Sequence, residues 1–143
     1  MKVVVDTNVL LSGIFWKGLP GKIVQLWFEE RVSLVVCAEI LREYEVVLER
    51  IRNRKGLEED ILKSWKAILF QKCLMVEPGE WENPCRDPDD QKFLNIAFVP
   101  EITCLITGDD DLLAMKDWFP NPIVTPREFF EHIFLPAKPK GKR

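Results

Sequence analysis

The chain opens with a short apolar run that ends on a carboxylate. Val3, Val4 and Val5 are consecutive β-branched residues, and Asp6 follows them directly. Such a run is typical of a strand that is covered on both faces, as in a parallel sheet. In open α/β sheets, ligands bind just beyond the carboxyl ends of the strands. Asp6 is therefore expected at the ligand-binding edge, where a lone carboxylate needs a cation, hydrogen bonds or solvent.

The rest of the chain alternates between strand and helix patterns. Further strands are expected at 32–37, 72–76, 103–107 and 123–125. Helices are expected at 22–30, 38–52, 58–70, 88–98, 109–116 and 126–134. The Gly- and Pro-containing stretch 17–21 predicts a loop before the first of these helices. The alternation predicts an α/β fold of three layers, with a parallel sheet and right-handed crossovers.

Length and composition indicate one domain. The chain has 143 residues, of which 47% are hydrophobic and 30% charged, with a net charge of −3. Residues 1–135 are expected to form the domain, and 136–143 a basic, disordered tail. No leader or membrane-spanning segment is recognisable, so the cytoplasm is the expected compartment. The four cysteines lack zinc-site spacing and are expected to be reduced thiols.

Carboxylates recur at one edge of the predicted sheet. They fall in four places: Asp6, Glu43, the run Asp87, Asp89 and Asp90, and the run Asp109, Asp110 and Asp111. A helical wheel places Glu43 at the edge of a buried stripe and Asp90 along a buried face. Taken alone, acids in the first turn of a helix are explained by capping and the helix dipole, and Glu43 by a solvated position on its helix.

The convergence of all four places on one sheet edge favours a cation. No Lys or Arg is expected among these inward acids, so they would repel one another unless a cation neutralised them. A set of oxygen ligands without His or Cys suits Mg²⁺ or Mn²⁺ better than zinc. The sequence therefore predicts a magnesium or manganese site.

Together these motifs resemble the PIN domain family. The resemblance covers about residues 1–134 and rests on four motifs in order: Asp6-Thr7-Asn8, a helical Glu43, Asp87-Pro88-Asp89-Asp90 leading into Phe93-Leu94, and Thr107-Gly108-Asp109-Asp110-Asp111-Leu112-Leu113. The chain is most similar to the branch described as VapC-type toxins of toxin–antitoxin systems. One departure is Cys37, which stands where many members place Ser or Thr before the helix.

The resemblance carries specific expectations. It implies a three-layer α/β/α fold with a five-stranded parallel sheet of order 3-2-1-4-5. It implies an endoribonuclease that uses one or two Mg²⁺ or Mn²⁺ ions, forms a homodimer and is inhibited by a small antitoxin protein. The catalytic, metal-binding acids would be Asp6, Glu43, Asp90 and Asp109. Asp111 would be an auxiliary metal-binding acid, and Asn8 an orienting polar group.

RNA held against an acidic site needs basic residues at the rim. The candidates are Lys17, Lys22, Arg50, Arg52, Arg54 and Lys55. A solvated helix end explains the run at 50–55 equally well. Trp16 could stack a base or fill a subunit interface, but partly buried packing is the favoured interpretation.

Two other functions fit parts of the pattern. A phosphatase of the haloacid dehalogenase type also begins with a strand-end aspartate, but it needs a second Asp where this chain has Asn8. A catalytically inactive PIN-like module that binds RNA or protein is the stronger alternative. The presence of all four acids argues against loss of activity.

Overall fold

Five short parallel strands form the central sheet of the computed structural model, which describes residues 1–135. The strands are β1 (Lys2–Val5), β2 (Ser33–Val36), β3 (Leu74–Met75), β4 (Cys104–Ile106) and β5 (Ile123–Val124). Their order is β3-β2-β1-β4-β5, so the predicted order is confirmed. The expected tail at 136–143 lies outside the described residues.

Helices flank the sheet in the expected α/β/α arrangement. They are α1 (Thr7–Phe15), α2 (Gly18–Phe28), α3 (Ala38–Lys55), α4 (Glu59–Lys72), α5 (Gln91–Ala97), α6 (Asp110–Leu113) and α7 (Pro126–Glu128). A 3₁₀ turn, Pro88–Asp90, precedes α5, and a π-helical segment, Phe129–Ile133, follows α7. Within residues 1–135, no helix is both long and apolar enough to cross a membrane.

The central strand β1 is the most enclosed part of the sheet. Val3, Val4 and Val5 are fully buried, as their apolar run predicts. Val3 pairs with β2 on one side and with β4 on the other. The hydroxyl of the buried Tyr44 donates a hydrogen bond to the Val5 carbonyl, which ties α3 to the end of β1. β1 is therefore held by both neighbouring strands and, at its end, also by α3.

The prediction of a loop at 17–21 is wrong, because α2 already begins at Gly18. Pro20 lies in the first turn of α2, where the missing N–H of proline has no helical partner to lose. The chain turns sharply before it, with φ of 66° at Lys17 and 63° at Gly18. The glycine and proline therefore mark a tight junction between two helices rather than a loop.

The stretch between β1 and α2 received no helical prediction, yet α1 occupies it. α1 packs closely on α2, since a Cβ added at Gly13 would lie 2.4 Å from the Pro20 carbonyl oxygen and 2.6 Å from Val24 Cγ2. Gly13 therefore serves close helix packing rather than a turn.

Replacing Gly13 by Ala should force these helices apart and lower the free energy of unfolding by about 1–3 kcal/mol, the usual cost of overpacking. Urea unfolding followed by circular dichroism measures the effect. The matched control is Gly108→Ala, because nothing lies within 4 Å of a Cβ built at Gly108. Equal stability of the two variants would show that α1 and α2 are less tightly packed than described.

Candidate active site

The four acids expected to bind metal line one open pocket at the carboxyl edge of the sheet. Its volume is about 540 Å³, and its walls include Asp6, Glu43, Asp90 and Asp109. Asn8 and Arg50 also line this pocket. Asp6 directly follows β1, Asp90 is the last residue of the 3₁₀ turn, and Asp109 lies three residues after β4. We call this space the acidic pocket.

Asp6 is the most deeply buried of these acids, with 5% of its surface exposed. It is the N-cap of α1, and its Oδ1 accepts a hydrogen bond from the Val9 N–H at 2.8 Å. Its Oδ2 accepts one from the Thr107 hydroxyl. Burial raises the pKa of Asp6 above its ordinary value, and the charge of Asp109 adds to this, while the two hydrogen bonds oppose it. The side chain is thus fixed in place but costly to ionise.

Thr107 joins Asp6 to Asp109. Its fully buried hydroxyl donates to Asp6 and accepts from the Asp109 N–H at 2.9 Å. The Asp109 carboxylate in turn caps α6 by accepting from the Asp111 N–H at 2.7 Å. No role was predicted for Thr107 from the sequence. Its position two residues before Asp109 was the available signal, because Thr hydroxyls often form hydrogen bonds with backbone groups nearby in the chain.

Among the four acids, Asp90 has the environment that most clearly indicates cation binding. Its Oδ2 is buried and has no hydrogen-bond partner within residues 1–135. Burial, followed by the charges of Asp109 and Asp87, raises the pKa of Asp90 to about 7. A buried oxygen without a partner, surrounded by other carboxylates, fits a hard cation such as Mg²⁺ or Mn²⁺.

Glu43 is held differently from the other three acids. The Thr7 hydroxyl donates to its Oε2, and the Lys92 ammonium lies 2.7 Å from its Oε1. Lys92 is only 9% exposed and also donates to the Asp89 carbonyl oxygen. The expectation that no Lys or Arg stands among the inward acids is therefore wrong, because Lys92 reaches into the acidic pocket from the first turn of α5.

Asp111 lies outside the wall of the acidic pocket. Oxygens of Asp87, Asp90 and Asp111 nevertheless lie within 4.8 Å of one another, close enough to hold a metal ion. Asp111 is also paired with Arg86 at 3.0 Å. Asp90 therefore belongs to both acid groups, one inside the pocket and one beside it.

The candidate RNA-binding residues separate into distinct places. Arg50 lines the acidic pocket, together with Arg42, which the sequence analysis did not single out. Lys17 and Lys22 instead line a groove beside α2. Trp16 is 58% exposed, so the prediction of partly buried packing is wrong.

The rest of the basic run has separate partners or faces solvent. Arg52 donates to the Leu57 carbonyl at 3.0 Å and to Asn53 at 2.8 Å. The Lys55 ammonium lies 4.8 Å from the ring centroid of Trp16. Arg54 is exposed.

Metal-free protein should lose stability through Asp90 as the pH rises. Its pKa is near 7 in the fold and about 4 in an unfolded chain, so the folded state binds the extra proton between these values. Stability from this group is complete below about pH 4 and is lost through about pH 7. In EDTA, the melting temperature of Asp90→Asn should match wild type at low pH and exceed it at pH 8.

The control for this titration is Asp110→Asn, because Asp110 is exposed. Its melting temperature should track that of the wild type across the range. A constant difference between wild type and Asp90→Asn at every pH would contradict the raised pKa.

Removing Lys92 should leave Glu43 without its cationic partner. Lys92→Met is expected to lower the free energy of unfolding by about 1–3 kcal/mol, the usual cost of a charge-assisted hydrogen bond lost at a buried group. Adding Glu43→Gln removes the stranded charge and should recover part of the loss. Urea unfolding of the two single variants and the double variant measures the interaction, and simple additivity would contradict it.

Comparison with known proteins identifies the family. Residues 2–111 match the profile of the family described as PIN domain. The chain is also 35% identical over 144 residues to the uncharacterized protein MJ1680 of Methanocaldococcus jannaschii, with 93% of this chain and 92% of that protein covered. PIN domains are generally metal-dependent nucleases, and the acid groups described above agree with metal binding. The chain belongs to the PIN domain family.

Proposed function

We propose that this protein is a Mg²⁺- or Mn²⁺-dependent endoribonuclease that hydrolyses RNA phosphodiester bonds. The observation that supports this most is the convergence of Asp6, Asp90 and Asp109 in one open pocket, with Asp90 Oδ2 buried and without a partner. If Asp6 and Asp109 served only as helix caps, the fold would not need the buried, unpartnered oxygen of Asp90 beside them. The family to which the chain belongs favours the same chemistry.

Asp6, Asp90 and Asp109 would hold the principal ion. Glu43 already accepts hydrogen bonds at both oxygens, so it would complete the site through water. Asp111, with Asp87, would hold a second ion beside Asp90. A divalent cation bound by such oxygens makes water more nucleophilic and offsets charge on the phosphoryl oxygens.

The other residues of the pocket orient the reactants and balance charge. Asn8 is exposed at the pocket wall, two residues beyond Asp6, and its amide would orient a water. Lys92 offsets the charge of Glu43, which lowers repulsion of an incoming phosphate. Arg50 stands at the same wall and would contact a phosphate.

We further propose that the enzyme is the toxin of a toxin–antitoxin pair, with a small antitoxin protein and a second copy of the chain as its partners. The likeness of its four motifs to VapC-type toxins supports this. The cytoplasm is the compartment we propose. The four cysteines are free thiols, three of them buried, which agrees with a reducing environment.

A catalytically inactive RNA- or protein-binding module is the second candidate. The observation in its favour is the Lys92–Glu43 ion pair, which neutralises one of the four acids without a metal. The orphaned Asp90 oxygen argues the other way, because a module without metal has no use for it.

Asp109→Asn should separate catalysis from capping. Asn caps helices as well as Asp, so the melting temperature of the metal-free variant should hold or rise. Cleavage of labelled RNA with Mn²⁺ should fall at least about 100-fold, because an amide brings no charge to the ion. The rise in melting temperature with Mn²⁺ should shrink as well.

Asp110→Asn is the matched control in the same turn, and it should cleave RNA like the wild type. The outcome that opposes the nuclease proposal is wild-type protein that shows neither Mn²⁺-dependent cleavage nor stabilisation by Mn²⁺. Binding of RNA without cleavage would favour the inactive module.

A further inference from the structure

The structure assigns to one face of α3 and the end of α1 a binding track for single-stranded RNA that leads away from the acidic pocket. The track consists of Arg50, Arg54, Lys55 and Trp16. This inference rests on the proposed action on RNA and adds the path of the strand across the surface and the residues that bind it. It is supported by the direction of the two helices, by unpaired charge and by an exposed aromatic ring.

The two helices connect the acids to the basic end of α3. Near the start of both, the Thr7 hydroxyl of α1 donates to Glu43 of α3. At their far ends, the Lys55 ammonium lies 4.8 Å from the ring centroid of Trp16. α1 and α3 therefore run side by side in the same direction, from the acidic pocket to Trp16.

Two basic residues of the track, Arg50 and Arg54, lie on the same face of α3 as Glu43. At 100° per residue, Glu43, Arg50 and Arg54 fall within about 40° of one another on α3. At 1.5 Å per residue, Arg50 lies about 10 Å and Arg54 about 16 Å along the axis from Glu43. Glu49, the acid between them in sequence, lies about 100° away from Arg50 on the helix. Beyond Glu43, no acidic side chain of α3 lies on this line between the acidic pocket and the end of the helix.

In the part of the chain described, Arg50 and Arg54 have no hydrogen-bond or ion-pair partner for their side chains, whereas Lys55 lies over the ring of Trp16. Neither Arg50 nor Arg54 forms a salt bridge within residues 1–135. Their spacing of four residues places like charges next to each other on the helix, which destabilises it. Arg52, by contrast, folds back onto the Leu57 carbonyl and is excluded from the track. Unpaired like charges in a row suit a polyanion.

Trp16 supplies a surface for a base at the end of the track. It is 58% exposed, and Phe15 supports its ring in an edge contact at 5.9 Å between centroids. The next residue, Lys17, has a φ of 66°, an uncommon conformation for a non-glycine residue. That turn ends α1 at Trp16. An exposed aromatic ring beside cations is the usual platform for an unpaired base.

These features select single-stranded RNA rather than a duplex. A base can stack on Trp16 only when its face is free, whereas paired bases in an A-form helix are stacked on one another. The distance along α3 suits a short segment, at the lower end of the roughly 4–16 nucleotides seen for single-strand sites.

The test measures binding without turnover. A fluorescent oligouridine of about 12 nucleotides, longer than the track, is titrated in EDTA and followed by anisotropy. Trp16→Ala should weaken binding about 5- to 100-fold, and Trp16→Phe, which keeps a stacking ring, should weaken it much less. Arg50→Gln/Arg54→Gln should weaken binding and lower the slope of log K against log salt by about 1.4.

Matched controls remove an exposed tryptophan or two cations elsewhere. Trp118 is 68% exposed, and Lys63 and Arg127 are exposed on α4 and α7. Trp118→Ala and Lys63→Gln/Arg127→Gln should bind the oligouridine within a factor of about two of wild type, because neither site lies on the track. Melting temperatures of all variants confirm that the fold is intact.

Two further measurements test whether the base stacks on Trp16 and whether the bound RNA must be single-stranded. Quenching of tryptophan fluorescence by oligouridine should decrease strongly in Trp16→Phe and remain in Trp118→Ala. A blunt RNA duplex should bind more weakly than the oligouridine, and its binding should not depend on Trp16.

The outcomes distinguish this inference from the nuclease proposal. RNA binding that needs Trp16, Arg50 and Arg54 without any cleavage by the loaded wild type supports the track and opposes the nuclease. Cleavage by wild type, with track variants that bind oligouridine as wild type does, overturns the track alone. A change in sedimentation on Trp16→Ala without a change in RNA affinity also overturns it, since the surface would then contact protein.

Discussion

The Asp6 carboxylate is the interaction on which the edge of the sheet depends. It ends β1, caps α1 through the Val9 N–H and receives the Thr107 hydroxyl at the end of β4. These contacts join two neighbouring parallel strands and a helix at one point. Since the Thr107 hydroxyl also accepts from the Asp109 N–H, the same side chain holds Asp6 and Asp109 at one edge of the pocket.

The same arrangement brings buried carboxylates close together, which disfavours their ionised forms. Asp6 and Asp90 both have raised pKa values, mainly because they are buried, and Asp109 raises each further. Lys92 relieves this at only one position, since its ammonium is committed to Glu43 and the Asp89 carbonyl. The chain thus neutralises one side of the pocket with its own cation and leaves the other side negative. That imbalance is the physical basis for expecting a divalent cation beside Asp90.

The sequence was informative where a residue's position in the fold depends on its neighbours along the chain. The valine run and strand-helix alternation predicted the parallel sheet. The positions of the aspartates after strands or at helix starts, and a helical wheel for Glu43, predicted which side chains would converge. Lys92 could not be placed in this way, because a buried lysine reads as a surface residue until its partner across the fold is known. α1 and the early start of α2 were missed for a related reason. Gly18, Pro20 and Gly21 signal a loop by propensity, but the close packing of α1 on α2 at Gly13 determines their conformation.

α3 connects the acidic pocket to a group of basic residues at the other end of the helix. Its first turns follow β2 and bring Glu43 to the carboxyl edge, while the Tyr44 hydroxyl holds the helix to the end of β1. Because a helix is rigid, that anchoring also determines where its basic end lies. The last turn carries Arg52, Arg54 and Lys55, and the αL residue Gly56 ends it. Cations at a helix C-terminus are favoured by the helix dipole, so a positive end costs the fold little. One helix thus presents an acid to the pocket at one end and cations at the other, and the charge gradient lies along its axis.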